Sequence, residues 1–278
     1  MSQNLESLFS LEGKVVVITG AAGLLGRKHA EAISAYGGNP VLLDLSDAAV
    51  NKLADQLNEQ FGVDAYGFAV DITNEQAIAK NTDVLMAHFG KIDCLVNNAA
   101  NNPKVEDSSE KSFSRLEHLP LDVWDQDVAV GLTGAFLCAK HYGYKIAQNK
   151  DGGSIVNICS DLGLMAPDQR LYTQTGLTEA QQPVKPVTYS VVKTGLIGLT
   201  RYLATYWAEK NVRCNAMCLG GVENGQPEAF LAKLNSRIPM NRLAQSDEYQ
   251  GTLVWMLSQA SSYLNGAIVP IEGGRTCW

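Results

Sequence analysis

Short apolar runs alternate with longer amphipathic stretches from one end of the chain to the other. Val15–Ile18 is an uncharged, β-branched run and reads as a buried strand, after which Thr19 and Gly20 break it. A helical pattern follows through Tyr36 and stops at Gly37-Gly38. Pro40–Asp44 is a second apolar strand, ending in an acid. Over residues 46–61, Ala49, Val50, Leu53, Leu57 and Phe61 recur at helical steps. Ala65–Val70 then reads as a strand closed by Asp71-Ile72-Thr73, Asn74–Phe89 as a helix stopped by Gly90, and Ile92–Val96 as a strand ending in Asn97-Asn98-Ala99-Ala100. Residues 101–123 are polar and charged and predict an exposed excursion. Trp124 to about Asn149 predicts a long helix, and Ser154–Cys159 a buried strand with Ser160 at its end. Tyr189 to about Lys210 predicts another helix, with Pro186 and Thr188 as start signals. Asn211–Cys218 is a strand, 226–237 a mixed helix, 247–258 a clearer one, and Tyr263–Ile271 the closing strand before Glu272-Gly273-Gly274. Strands and helices alternate at the spacing of parallel crossovers, so the expected class is α/β, a doubly wound parallel sheet. No repeat or linker divides it, which predicts a single domain over residues 1–278.

One long stretch breaks the alternation. Residues 161–188 hold Pro167, Pro183 and Pro186 together with Arg170, Tyr172, Gln174, Glu179, Gln181, Gln182 and Lys185. Structureless loops beyond roughly 12–15 residues are uncommon unless they are lids or binding elements. A substrate-loop insertion and a decorative surface insertion are both open readings.

The first turn carries candidate chemistry. Gly20, Gly23 and Gly26 sit between a strand and the start of a helix. The unpaired N–H groups and partial positive charge of a helix start make an anion site, and glycines let a pyrophosphate approach the backbone. Asp44, at the end of the second strand, stands where a dinucleotide fold places the carboxylate that accepts the adenosine ribose hydroxyls. A carboxylate there repels a 2′-phosphate, which favours NAD over NADP; a turn cap is the competing reading. Asp71 and Asn97–Ala100 end strands on the same rim, and Asp71 has a second reading as the cap of the following helix.

Bulk properties narrow the class. The chain has 278 residues, 46% hydrophobic and 18% charged, with net charge −7 and no Lys/Arg cluster, so no nucleic-acid footprint is expected. Residues 1–10 hold no Lys or Arg and no long apolar run, and no window approaches the roughly 18 apolar residues of a membrane span. A cytoplasmic protein with no membrane or nucleic-acid partner is expected. The six cysteines form no Cys-x-x-Cys pair and read as buried free thiols. His29, His88, His118 and His141 show no ligand spacing, so no metal is assigned.

The reactive constellation comes later in the chain. Tyr189 and Lys193 lie four apart on one predicted helix and share a face. A phenol titrates near pH 10, and a nearby ammonium lowers that value toward the range that acid–base work needs. Ser160, at a strand end on the same rim, can donate a hydrogen bond to a substrate oxygen.

Taken in order, Leu11-Glu12-Gly13-Lys14, Thr19-Gly20, Asp71, Asn97-Asn98-Ala99-Ala100, Ser160, Tyr189-Ser190-Val191-Val192-Lys193, Gly266 and Gly273-Gly274 resemble the classical short-chain dehydrogenase/reductase family end to end. The resemblance implies a Rossmann-like three-layer sandwich and hydride exchange between NAD(P) and an alcohol or ketone. Tyr189 would shuttle the proton, Lys193 would hold the nicotinamide ribose and lower the tyrosine pKa, and Ser160 would position the substrate oxygen. The residues implied for the dinucleotide are Gly20, Gly23, Leu24, Leu25 and Gly26, then Asp44, Leu45, Asp71, Ile72, Asn98, Ala99 and Ala100, with Tyr189, Lys193 and the backbone near Val222. A homotetramer or homodimer through helices 124–149 and 189–210 is implied as well. Four departures stand out. The middle glycine is Gly23, with Leu24 where the family usually has it, a spacing seen in the nucleotide-sugar branch. Gly131 replaces the helix asparagine that supports the family's proton relay, and Leu219 replaces a proline. The segment between Ser160 and Tyr189 is much longer than usual. The leading expectation is an NAD-dependent oxidoreductase acting on a polar, sugar-like or phosphorylated secondary alcohol or ketone, because Arg170 and Lys185 crowd the insertion. A sugar epimerase or dehydratase with tightly held NAD and a non-catalytic dinucleotide-binding protein are the alternatives.

Overall fold

A computed structural model describes residues 5–101 and 112–278. Its centre is a sheet of seven parallel strands: β1 (Val15–Thr19), β2 (Asn39–Asp44), β3 (Tyr66–Ala69), β4 (Cys94–Asn97), β5 (Gly153–Ser160), β6 (Val212–Leu219) and β7 (Ile268–Ile271). They lie in the order β3-β2-β1-β4-β5-β6-β7. The chain winds outward one way from β1 and then the other way from β4, so a crevice opens between their carboxyl ends, where ligands of such sheets bind.

Both faces of the sheet are covered, and β1 shows how. Successive side chains of a strand point to opposite faces. Val16 and Ile18 enter a buried cluster with Ile33, Leu53 and Leu253, from helices α1 (Leu24–Ala35), α2 (Asp47–Phe61) and α9 (Gln250–Leu257). Val15 and Val17 enter the opposite cluster, with Ile78 and Leu85 from α3 (Glu75–Phe89), Tyr142, and Leu203 from α7 (Val187–Tyr206). Continuous apolar strands are what double coverage demands.

Several boundaries differ from the sequence expectation. The helix expected from Trp124 begins at Leu121, with Pro120 as its cap at φ −65°. It runs as α4 (Leu121–Val128), a π-type turn over Ala129–Thr133, α5 (Gly134–Cys138), a second π-type turn over Ala139–Gly143, and α6 (Tyr144–Ile146). Glycines at close approaches accompany the widened turns: a Cβ on Gly131 would lie 2.5 Å from Cγ1 of Val192, and one on Gly134 2.7 Å from Cδ1 of Ile72. Of the expected excursion at 101–123, residues 102–111 lie outside the described residues. The rest is not simply exposed. Ser112 and Ser114 are buried, the Ser112 N–H donates to the Ala180 carbonyl at 3.0 Å, and the Val184 N–H donates to Ser114 Oγ at 3.0 Å. Residues 161–188 are folded locally, with short 3-10 turns at Asp161–Gly163, Gln169–Tyr172 and Glu179–Gln181. Strand β7 starts at Ile268, not Tyr263, because side chains hold the preceding backbone: Arg213 Nη1 and Asn215 Nδ2 both donate to the Leu264 carbonyl. The mixed helix narrows to α8 (Glu228–Asn235).

Candidate active site

The turn between β1 and α1 is built by exclusion. Gly20 has φ +64°, and a Cβ there would meet Ala99 Cα at 2.9 Å; a Cβ on Gly26 would lie 2.2 Å from the Gly20 carbonyl oxygen. Only glycine fits either position without moving backbone. Thr19 Oγ1 accepts from the N–H groups of Asn98 and Ala99, both at 3.0 Å. Asn98 Nδ2 donates to the Thr19 and Gly20 carbonyls at 2.9 and 3.1 Å. The Asn98 side chain, expected among the cofactor contacts, is thus spent on the turn itself, which leaves Ala99 and Ala100 to face the crevice.

Helix α1 starts at Leu24 behind Gly23, with no side-chain cap and no acid in its first turn. By contrast, Ser46 caps α2 and Asn74 caps α3. The amides of Leu24, Leu25 and Gly26 therefore have no partner from a capping side chain. Asp44 lies beside this turn, accepting from Ala22 N–H at 2.9 Å on Oδ2 and Leu45 N–H at 2.8 Å on Oδ1. A carboxylate has about four lone-pair sites, so two remain for a ligand. Leu24 and Leu45 are exposed on the rim. Asp71 Oδ1 accepts from Thr73 N–H and Oγ1 at 2.8 and 2.7 Å, while Asn74 provides the α3 cap assigned to Asp71 in the alternative reading. Ile72 is buried. Val222 is bridged to Ala244, and its carbonyl accepts from Gln226 Nε2 at 2.7 Å. An uncapped helix start, a turn with no room for side chains and an acid at the end of β2 fit the pyrophosphate and ribose of a dinucleotide.

Across the crevice, Tyr189 and Lys193 lie on α7 and Ser160 ends β5. The Ser160 side chain lies close enough to Tyr189 to lower its pKa. Lys193 is not where the electrostatic argument needs it. Its Nζ lies 5.9 Å from the Tyr189 ring centroid and donates to the Ile158 carbonyl at 2.8 Å. Burial raises the Tyr189 pKa; the Ser160 hydrogen bond pulls it down, and nearby Asp161 and Cys159 push it up. The depressed phenol expected from a neighbouring ammonium is therefore corrected: desolvation outweighs the hydrogen bond, and among the described residues the cation nearest the ring is Lys185, whose Nζ stands 3.9 Å from the centroid.

Three residues outside the expected set complete this side. Ser160 Oγ donates to Asp161 Oδ1 at 2.8 Å, and Arg275 Nη1 donates to Asp161 Oδ2 at 2.6 Å in a buried ion pair. Asp127, also buried, accepts from Thr188 Oγ1 at 2.5 Å. No local pattern links Arg275 to a residue 114 positions earlier; the only available signal was an acid directly after the strand-end serine. A small cavity bounded by Ala100, Asp127, Gly131, Thr188, Tyr189 and Lys193 opens here. A roomier hollow of about 500 Å³ lies at the amino end of β2, beside Tyr36 and Asn39, and touches none of these residues. Arg170, expected to face the substrate, is exposed and held by Asp168 at 2.8 and 3.0 Å. Among the described residues no His/Cys/Asp/Glu group could hold a metal, and no helix is long and apolar enough to cross a membrane.

Residues 20–276 match the family model described as enoyl-(acyl carrier protein) reductase. A D-threitol dehydrogenase of Mycolicibacterium smegmatis is 30% identical over 281 residues, 96% of this chain and 95% of that one. An NADP-dependent mannitol dehydrogenase of Hypocrea jecorina is 30% identical over 285 residues, covering 99% and 97%. The structure is also similar to an NAD+-bound xylitol dehydrogenase, with 26% identity, a TM-score of 0.81 and coverage of 95% and 99%. The chain belongs to the short-chain dehydrogenase/reductase family and is an oxidoreductase that uses a nicotinamide dinucleotide and a small-molecule substrate.

Proposed function

We propose that the protein exchanges a hydride between NAD(H) and a secondary alcohol or ketone of a polyol or sugar-derived substrate. The observation that carries this is the pairing of Ser160 with Tyr189 across the crevice from the uncapped start of α1. When bound, the dinucleotide gives or takes the hydride. The amides of Leu24, Leu25 and Gly26 would hold its pyrophosphate, Asp44 with Leu45 the adenosine ribose, and Asp71 with Ile72 the adenine side. Ala99, Ala100 and Lys193 would hold the nicotinamide ribose, and Val222 would flank the carboxamide; Asn98 would act indirectly, by holding the glycine turn. Asp44 supports NAD over NADP, since a carboxylate in contact with two backbone amides there repels a 2′-phosphate. The relatives' printed substrates, threitol, mannitol and xylitol, support a polyol class.

Tyr189 would carry the proton, and Ser160 would hydrogen-bond the substrate oxygen as charge develops on it. A phenol is protonated at neutral pH, and burial here only pushes its pKa further up, which suits Tyr189 to donate to a carbonyl. Lys193 would fix the depth of α7 against β5 through the Ile158 carbonyl as well as binding ribose. We propose further that the protein pairs with copies of itself through α4–α6 and α7, which expose Phe136, Tyr144, Tyr202 and Tyr206; light scattering after gel filtration tests this. For the chemistry, Tyr189→Phe is expected to lower kcat on any active polyol or its ketone by about 10²–10⁴-fold. A loss below about tenfold, 1.4 kcal/mol of barrier, would remove Tyr189 from the reaction.

A further inference from the structure

Beyond β7 the chain turns back toward the reacting groups. Gly273 and Gly274 take φ +68° and +87°, which glycine adopts without strain, and a Cβ on them would meet Ile238 Cγ2 at 2.7 Å and Pro239 Cγ at 2.9 Å. Glu272 braces the turn by accepting from the Thr276 N–H at 2.9 Å. The turn leaves Arg275 buried and carries it past β6 to the end of β5, where Nη1 donates to Asp161 Oδ2 at 2.6 Å.

Asp161 in turn governs Ser160. A serine hydroxyl has one hydrogen and two lone pairs. The hydrogen of Ser160 goes to Asp161 Oδ1 at 2.8 Å, and the Leu162 N–H donates to Ser160 Oγ at 3.2 Å. At rest, then, the hydrogen that the proposed chemistry needs on the substrate oxygen is held by a carboxylate. The substrate oxygen must win it as charge develops there. Hydrogen bonds to an ionised acceptor are roughly twice as strong as neutral ones, so an uncompensated Asp161 would keep the hydrogen. Arg275 draws on the same carboxylate through its other oxygen, in an ion pair whose side chains are 8% and 4% exposed, and loosens its hold on Ser160. Lys185 attracts Asp161 as well, so losing Arg275 shifts this balance without emptying it.

We propose that Arg275 is a positioning residue for the reaction: by offsetting Asp161 it lets the Ser160 O–H swing from that carboxylate to the substrate oxygen as charge develops on it. The proposal rests on the reading of Ser160 above and deepens it, since it makes the turn after β7 part of the active-site machinery.

The test is a double-mutant cycle between Arg275 and Ser160 in full-length protein with NAD+, on whichever of D-threitol, mannitol and xylitol is oxidised fastest. Arg275→Gln is expected to lower kcat about tenfold or more, toward the loss from a missing oxyanion donor, with KM little changed. In a Ser160→Ala background the same change should alter kcat by less than about twofold, because the hydroxyl it acts through is gone. Arg275→Lys should keep most of the activity, since the contact to Asp161 runs through one nitrogen. Asp161→Asn combined with Arg275→Gln removes both charges, covers the case in which Arg275→Gln alone does not fold, and should turn over close to the unaltered rate. Equal losses with and without the Ser160 hydroxyl would overturn the proposal, as would a charge-free double variant about tenfold slower than the unaltered protein. Urea unfolding of the same cycle needs no substrate: the Ser160 and Arg275 losses should fail to add, and losses that add would break the chain from Ser160 through Asp161 to Arg275. An unaltered protein that oxidises none of the three polyols would instead overturn the polyol reading, so the two failures are distinguishable.

Discussion

The dinucleotide half and the substrate half of this molecule satisfy their polar groups in different ways. From β1 through α3, partners are mostly backbone or near in sequence: Asp44 accepts from Leu45 and Ala22, Asp71 from Thr73, Ser46 from Ala49 and Asn74 from Ala77. Around Tyr189 the partners come from far along the chain. Arg275 reaches Asp161, Thr188 reaches Asp127 and Lys193 reaches the Ile158 carbonyl. The first half follows rules that any sequence with glycines and caps in the right places obeys. The second is a cluster of buried charges that holds only once the whole chain has folded, and it is there that this chain's individuality lies.

The sharpest way to break that contrast is to remove one member of the cluster. Arg275→Met leaves Asp161 buried without its ion-pair partner, a change that typically costs about 3–5 kcal/mol. Urea unfolding should show a loss of that size. Adding Asp161→Asn should recover part of it, because the stranded charge is then gone. A loss under about 1 kcal/mol would mean that the pair behaves as a surface ion pair and that the substrate half is no more tertiary than the other.

Acid probes the opposite half. His29 on α1 is fully buried, and neither ring nitrogen has a hydrogen-bond partner. Burial lowers its pKa from 6.5 to about 4. The unfolded chain then binds a proton that the folded chain refuses between those values, so this contribution to stability is present above pH 6.5 and is lost as pH falls toward 4. At about 1.4 kcal/mol per unit the loss is roughly 3 kcal/mol. Stability measured from pH 7 to 4 should fall less steeply in His29→Leu. Parallel curves for the two proteins would remove His29 as the cause.

Much of the architecture was legible because periodicity reports burial directly. The continuous β-branched run of Val15–Ile18 and the helical spacing of 46–61 required nothing beyond neighbours. Ser160, Tyr189 and Lys193 were legible as residue types at ordered positions. The sign of the Tyr189 pKa shift was not, since it depends on how deeply α7 sits against β5 and on where Lys193 finds an acceptor. Gly131 could be seen only as a missing side chain; the structure supplies Val192 in the space it vacates. Arg170 and Lys185 read alike in sequence, yet one is held at the surface by Asp168 and the other lies over the phenol. Gly26 marks the legible extreme. Gly26→Ala forces a Cβ to within 2.2 Å of a backbone oxygen that has little freedom to move. Overpacking of this kind costs about 1–3 kcal/mol, and NADH affinity by fluorescence should drop with it. Unchanged affinity would show that the glycine turn is not the pyrophosphate cradle.

The smallest effect should come from Asp44, where the contrast between the halves is least. Asparagine keeps one oxygen but replaces the other with a donor that faces a backbone N–H, so the turn loses either the Ala22 or the Leu45 hydrogen bond. A single such bond is worth about 1 kcal/mol, so stability should fall only slightly. Selectivity should respond more, because removing the charge weakens ribose binding and lifts the repulsion of a 2′-phosphate at once. The ratio of kcat/KM for NAD+ over NADP+ is expected to fall about tenfold, equivalent to 1.4 kcal/mol, mostly through a lower KM for NADP+. Should the ratio stay constant in Asp44→Asn, the acid serves only to brace the turn, and cofactor choice would have to be sought among residues further along the rim, such as Leu45.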